Sequence, residues 1–172
     1  MQEQHHSFSE PLSFDIVEMT IDDVPDIIEI EKRSFVTPWS KNLFMKEYTC
    51  DLSKIFVAKT ACSSAQRVVG YLCAWFIAGE VHILNLAAHP LFRRKKVATG
   101  LLSHCLAFSS ARGIKWAFLE VRQSNEHALS LYSTYGFKPV GLRKGYYTDT
   151  HEDAIVMMLE MESPRSLRHS AR

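Results

Sequence analysis

The spacing of apolar positions changes several times along this chain, and each change marks an element. Phe14 to Met19 suits a short strand, after which Thr20 stands as a helix cap with Asp23 where a capping-box acid belongs. Val24, Ile27 and Ile28 then follow helical spacing. Thr37, Pro38 and Trp39 break the pattern, and Ser40 is placed to cap a second short helix that turns Leu43, Phe44 and Tyr48 inward. Three β-rich runs, Ile55 to Lys59, Arg67 to Ala78 and Val81 to Ala88, are divided by Ser-rich or Gly-containing turns and predict an antiparallel meander. A helix with Val97, Leu101, Cys105 and Phe108 on one face comes next, with Gly113 at its expected C-cap. Trp116 to Val121 is nearly all apolar, as in a strand covered on both faces. Glu126 to Tyr135 predicts a further helix, directing Ala128, Leu131, Tyr132 and Tyr135 inward and stopping at Gly136. Val140 and the segment Ala154 to Met161 complete what this order predicts, a mixed α/β sheet.

Composition narrows the picture. With 172 residues, 47% hydrophobic and 23% charged, the chain suits one globular domain. That domain is expected over 14–162, between a polar tail at 1–13 and a basic tail at 163–172. A net charge of +1 supplies no global field for nucleic acid. The four cysteines form no CxxC pair, and Cys73 and Cys105 lie in apolar runs, which suits reduced, buried thiols. The eight histidines show no ligand spacing, so no metal is expected. The first residues lack a signal-peptide pattern, and the longest apolar stretch, Tyr71 to Ala78, falls far short of the roughly 20 residues that span a bilayer. A cytoplasmic protein without a membrane partner is the expectation.

Chemistry concentrates at three places. The run Arg93, Arg94, Lys95, Lys96 opens directly into a helix, whose N-terminal N–H groups and partial positive charge suit a phosphate. Alone, it reads equally well as a solvated basic loop or a nucleic-acid patch. Glu120 shares a strand face with Trp116 and Phe118, where desolvation would raise its pKa and suit it to act as a general base. Taken singly, a strand-end glutamate turned to water is the commoner case. Tyr132 on an apolar helix face is, by itself, a core tyrosine.

Together the residues say more. LEVRQSNEHALSLYSTYGF, residues 119 to 137, resembles the most recognisable stretch of the GNAT family of N-acetyltransferases. FVTPWS at 35 to 40, HILNLAAHP at 82 to 90 and KGYYTDTHEDAIVMML at 144 to 159 bring the resemblance closer, to the branch that acetylates the N-terminal alanine of small-subunit ribosomal protein S18. The likeness covers about residues 14 to 161. It implies the GNAT fold, a mixed, mostly antiparallel sheet whose central strand pair splays, with flanking helices. It implies acetyl-CoA as co-substrate, its pantetheine arm between the strands matching Val81 to Ala88 and Trp116 to Val121. Backbone groups of Leu86, Ala87 and Ala88 would polarise the thioester. Arg94, Lys95, Lys96, Val97, Ala98 and Thr99 correspond to the pyrophosphate loop, and Asn125 to a further cofactor contact. Glu120 matches the general base and Tyr132 the general acid. Trp39, Tyr146 and Tyr147 match the wall around the incoming protein N-terminus, and Asp149, Glu152 and Asp153 would favour basic residues behind it.

One position departs from the family pattern Q/R-x-x-G-x-G/A: the central glycine is Lys96. Because the loop leads into a helix, a negative φ is expected there, which a lysine adopts without penalty. Two other readings remain: the same fold acting on a small amine, and a non-catalytic acyl-CoA-binding module. The first is opposed by the PWS and YYT segments, and the second by the presence of both Glu120 and Tyr132.

Overall fold

The computed structural model describes residues 12–62 and 65–161. Strands β1 (Asp15–Glu18), β2 (Ser53–Cys62), β3 (Ala65–Ile77) and β4 (Glu80–Ala88) run antiparallel to one another. β5 (Trp116–Arg122) lies parallel to β4, and β6 (Lys138–Tyr147) and β7 (Glu152–Glu160) follow. Among the described residues seven strands form one sheet in the order β1-β2-β3-β4-β5-β7-β6, in which β4–β5 is the single parallel pair.

Four helices cover the two faces. α1 (Val24–Ser34) and α2 (Lys41–Tyr48) lie over β2, β3 and β4, while α3 (Val97–Ser110) packs on the other face. α4 (Glu126–Thr134) joins α3 through Tyr132 in the same apolar cluster. The expected N-terminal caps are present, while α3 has its C-cap at Ala111, two residues before Gly113. The Thr20 N–H donates to the Asp23 carboxylate at 2.8 Å, starting a 3-10 turn that leads into α1. Ser40 accepts the Leu43 N–H at 3.2 Å and starts α2.

Strand alternation sorts the core into two clusters. Phe56, Ala58, Leu72 and Ala74 face Val97, Leu101 and Cys105, whereas Ile55, Val57, Tyr71 and Cys73 face Ile27, Ile30 and Phe44. Two expectations change here. Tyr48 is exposed, because α2 turns Phe44 and Glu47 inward instead, and buried Glu47 accepts the Trp75 indole N–H at 2.6 Å. β5 is covered fully on one face only: Ala117, Leu119 and Val121 are buried, but Trp116, Phe118 and Glu120 are half-buried, since α1 and α2 lie over β2 to β4.

A register break in β4 matters most for the site. Cys73 pairs with Asn85 and Ala74 with Ile83, so Leu84 is an extra residue bulged out of the ladder. The bulge reverses which face later side chains meet. Val81 and Ile83 point to the α3 face, and after the bulge Ala87 lies in the α1 cluster while Leu86 and Ala88 pack on the α3 side.

Candidate active site

The parallel pair of β4 and β5 is short. Its register runs from Glu80 opposite Trp116 to Ile83 opposite Leu119, and no further. Among the described residues β4 is held from the bulge onward by β3 alone, and Glu120 to Arg122 by β7 alone. The strands part there, leaving one edge of Leu86, Ala87 and Ala88 with backbone groups free to bind an amide-bearing chain. Such groups need partners, and a pantetheine-like arm offers them.

At the far end of the gap, Ala88 and Phe92 meet the loop from Arg93 to Thr99 around a cleft of about 140 Å³. Lys95 is absent from its lining and instead sets its ammonium 5.4 Å from the Phe92 ring. Lys96 departs from expectation: its φ is +63°, and Arg94 has φ +61°. A side chain in this left-handed region costs about 1–2 kcal/mol. The gain is directional, because such turns before a helix aim successive N–H groups into one hollow, where an anion fits. The helix behind the loop is seated by Gly70 on β3, where a Cβ would come within 2.5 Å of a Val97 methyl and 2.9 Å of the Ala87 carbonyl oxygen. Asn125 caps α4, its Oδ1 accepting the Ala128 N–H at 3.2 Å.

Glu120 and Tyr132 lie on opposite faces of the sheet. Leu119 and Val121 point to the α3 face, so Glu120 points to the α1 face, and Tyr132 reaches from α4 on the α3 side. Glu120 has a charged neighbour that sequence alone did not supply, with Arg143 Nη1 at 3.1 Å from its Oε1. Tyr132 is buried, which pushes its phenol pKa up, and the nearby Tyr147 phenol adds to the effect. Tyr147 in turn feels Glu120, so one aromatic side chain lies within electrostatic reach of both. Burial, its largest influence, pushes the Tyr147 pKa up to about 12.

Around the α1-side entrance, the structure turns the expected acids inward to partners. Asp149 accepts hydrogen bonds from Arg122 Nη2 at 2.8 Å and from the Thr37 hydroxyl at 2.8 Å. Those two contacts hold its carboxyl below the usual range, the Thr37 bond contributing most. Glu152 accepts the Ser124 N–H at 2.6 Å, and Asp153 the Gly145 N–H at 2.8 Å. The Arg122 guanidinium also lies 3.8 Å from the centre of the Tyr147 ring. Asp149 and Glu152 thus share Arg122, while Asp153 meets a backbone N–H.

A further group escaped sequence reasoning altogether. Glu31, fully buried on α1, accepts the Trp39 N–H at 2.6 Å, the Asn85 amide at 3.0 Å and the Tyr71 hydroxyl. Burial raises its carboxyl pKa to about 7 against the opposing pull of the Trp39 and Asn85 bonds. In the sequence Glu31 looks like one more charge on an amphipathic helix, and the one available signal is its position on the stripe of Ile27 and Ile30.

A parted parallel pair with a phosphate-suited loop at its end frames the site, and comparison supplies its family. The acetyltransferase (GNAT) family matches residues 24–137, and the chain belongs to it. A Bacillus subtilis protein provisionally named a [ribosomal protein bS18]-alanine N-acetyltransferase is 32% identical over 139 residues, covering 81% of this chain and 90% of that protein. An Escherichia coli [ribosomal protein bS18]-alanine N-acetyltransferase is 30% identical over 80% of this chain and 90% of its own length. The crystal structure of the ribosomal-protein-S18-alanine N-acetyltransferase from Escherichia coli has a TM-score of 0.78 and 28% identity, covering 89% of this chain and 98% of that one. Arabidopsis thaliana NAA60 in complex with acetyl-CoA shares the fold, with a TM-score of 0.78 at 16% identity, over 87% of this chain and 99% of its own. Among the described residues no helix is long and apolar enough to cross a membrane.

Proposed function

We propose that this GNAT enzyme transfers acetyl from acetyl-CoA to a protein N-terminal amine, with the N-terminal alanine of ribosomal protein S18 as substrate, in the cytoplasm. The observation that carries the reading is the gap between β4 and β5, with Glu120 on one face and Tyr132 on the other. The names of the relatives supply the substrate.

In this reading Leu86, Ala87 and Ala88 offer backbone groups to acetyl-CoA, and the Arg94–Thr99 loop holds its phosphates. Trp39, Tyr146 and Tyr147 wall the peptide. An α-amine has a pKa near 8, so much of it is protonated at neutral pH and a base must take up a proton during attack. Glu120 serves that role from the α1 face, directly or through water. The amine nitrogen forms the new bond to the acetyl carbon, the carbon–sulfur bond breaks, and the departing thiolate receives a proton. In this reading Tyr132 gives it, and its buried phenol, with its pKa pushed up, stays protonated until the thiolate forms. Asn125 caps α4 beside this region and contacts the cofactor only with its remaining amide protons. Intact-mass analysis tests the whole reading. A synthetic S18 N-terminal peptide incubated with protein and acetyl-CoA is expected to gain one acetyl group on its α-amine, and an unchanged mass alongside acetylation of free spermidine would replace peptide by small-amine chemistry.

A further inference from the structure

We propose that Glu31 is a positioning residue for peptide acetylation, one carboxylate joining the peptide-wall loop at Trp39 to the parted strand β4 at Asn85. The inference rests on the proposed function, and extends it to a side chain that touches neither substrate.

The connection is built from three elements. α1 supplies the carboxylate, the loop before α2 supplies the Trp39 N–H at 2.6 Å, and β4 supplies the Asn85 amide at 3.0 Å. Asn85 reaches α1 because of the bulge at Leu84, which puts it on the face of Cys73 and next to the start of the gap. Without that extra residue, Asn85 would point toward α3. The loop also carries Thr37, bonded to Asp149 in the β6–β7 connection, so Glu31 sits at the root of the same entrance.

Three donors favour a charged acceptor here. The Glu31 Oε1 atom accepts from both Tyr71 and Asn85, and Oε2 accepts from Trp39. Among these groups Tyr71 alone is titratable, and no cation is among the influences on Glu31. A proton added to the carboxylate removes its charge and turns one lone pair into a donor, while the oxygens can still accept as a neutral acid. The Tyr71 hydroxyl can rotate and accept, whereas the Trp39 and Asn85 N–H groups cannot. Protonation therefore takes the charge assistance from the contacts to the loop and the strand, while the new proton can pass to the Tyr71 hydroxyl on β3.

Two experiments test this on the full-length enzyme. Glu31→Gln keeps the shape but removes the charge, and is expected to raise the KM for S18 peptide about tenfold, the scale of one charge-assisted hydrogen bond, with the acetyl-CoA dissociation constant changed less than about threefold. Wild-type peptide KM in a folded Glu31→Gln enzyme would overturn the proposal. NMR of the wild type needs no activity: the Trp39 backbone amide and the Asn85 side-chain amide should titrate together with a midpoint near 7, the value set by burial of Glu31. Tyr71→Phe, which removes one donor to the carboxylate, should move that shared midpoint upward. Two amides that stay still between pH 6 and 8, or that titrate with different midpoints, would sink the idea even if the variant fails to fold. A wild type that leaves the peptide unacetylated would instead count against the proposed function, while the amide titration would still report the linkage.

Discussion

At the scale of single residues, the reacting groups yield to conservative exchange. Glu120→Gln is expected to lower kcat by about 100-fold or more with acetyl-CoA binding intact, the scale of a lost general base; single-turnover and steady-state rates would check it. Tyr132→Phe keeps the ring packed against Phe137, 5.8 Å between centroids, so folding should survive while turnover slows. Lys96 carries a prediction of a different kind. Since it holds φ +63°, Lys96→Gly relieves strain of about 1–2 kcal/mol but gives the unfolded chain more freedom, leaving a net gain of up to about 1 kcal/mol in urea denaturation. Acetyl-CoA affinity should change less than tenfold, and should fall less steeply with salt in the variant if the ammonium meets a phosphate. Sequence spacing could place Lys96 at a helix entrance but could not show its handedness, because the hand is set by where the loop must aim its N–H groups. The partners of Glu31 were hidden for a related reason: they come from two strands and a loop more than 35 residues apart at the extremes.

At the scale of elements, the helix that follows the phosphate-suited loop depends on how closely it can approach β3. Gly70→Ala puts a methyl against Val97 and the Ala87 carbonyl, and overpacking of this kind costs about 1–3 kcal/mol. Thermal denaturation should show the loss, and calorimetry should show weaker acetyl-CoA binding, because the start of α3 is what moves. The helices were legible from one apolar face each, and the meander and β5 from near-continuous apolar runs, although β5 is fully covered on one face only. β6 was not: it is an edge strand, exposed along nearly its whole length, so Val140 and Leu142 mark no inward face. Tyr146 and Tyr147 close this edge strand, at the end of the sheet. The parting of β4 and β5 came through family resemblance alone, since nothing in the composition of either strand announces where their ladder stops.

At the scale of the whole molecule, Glu31 sets a slope of stability with pH. Its pKa stands near 7 in the folded protein against 4.5 as an ordinary glutamate, so between those values the native state holds a proton that the unfolded chain has released. Stability from this group is fully present below pH 4.5 and is lost as pH rises through 7, a difference of about 3 kcal/mol across the window. Glu31→Gln should remove that slope, and urea midpoints at pH 5 and pH 8 for both proteins would reveal it. Asp149 works in the other direction, its contribution lost as pH falls through its lowered pKa. The enzyme is thus most stable with Glu31 protonated, while the Trp39 and Asn85 contacts are best with Glu31 ionised. The brevity of the β4–β5 ladder also has a consequence for folding. β1 to β4 and β5 to β7 are two antiparallel runs, each contiguous in sequence apart from its helices, stitched together by four paired positions. Short-range pairing can form within each run before the two meet, and the seam, which needs the crossover through α3, closes late. Amide exchange at Val81 to Ile83 should accordingly be faster than at the centres of β3 and β7, and occupation of the gap by acetyl-CoA should slow it by clasping the two runs together.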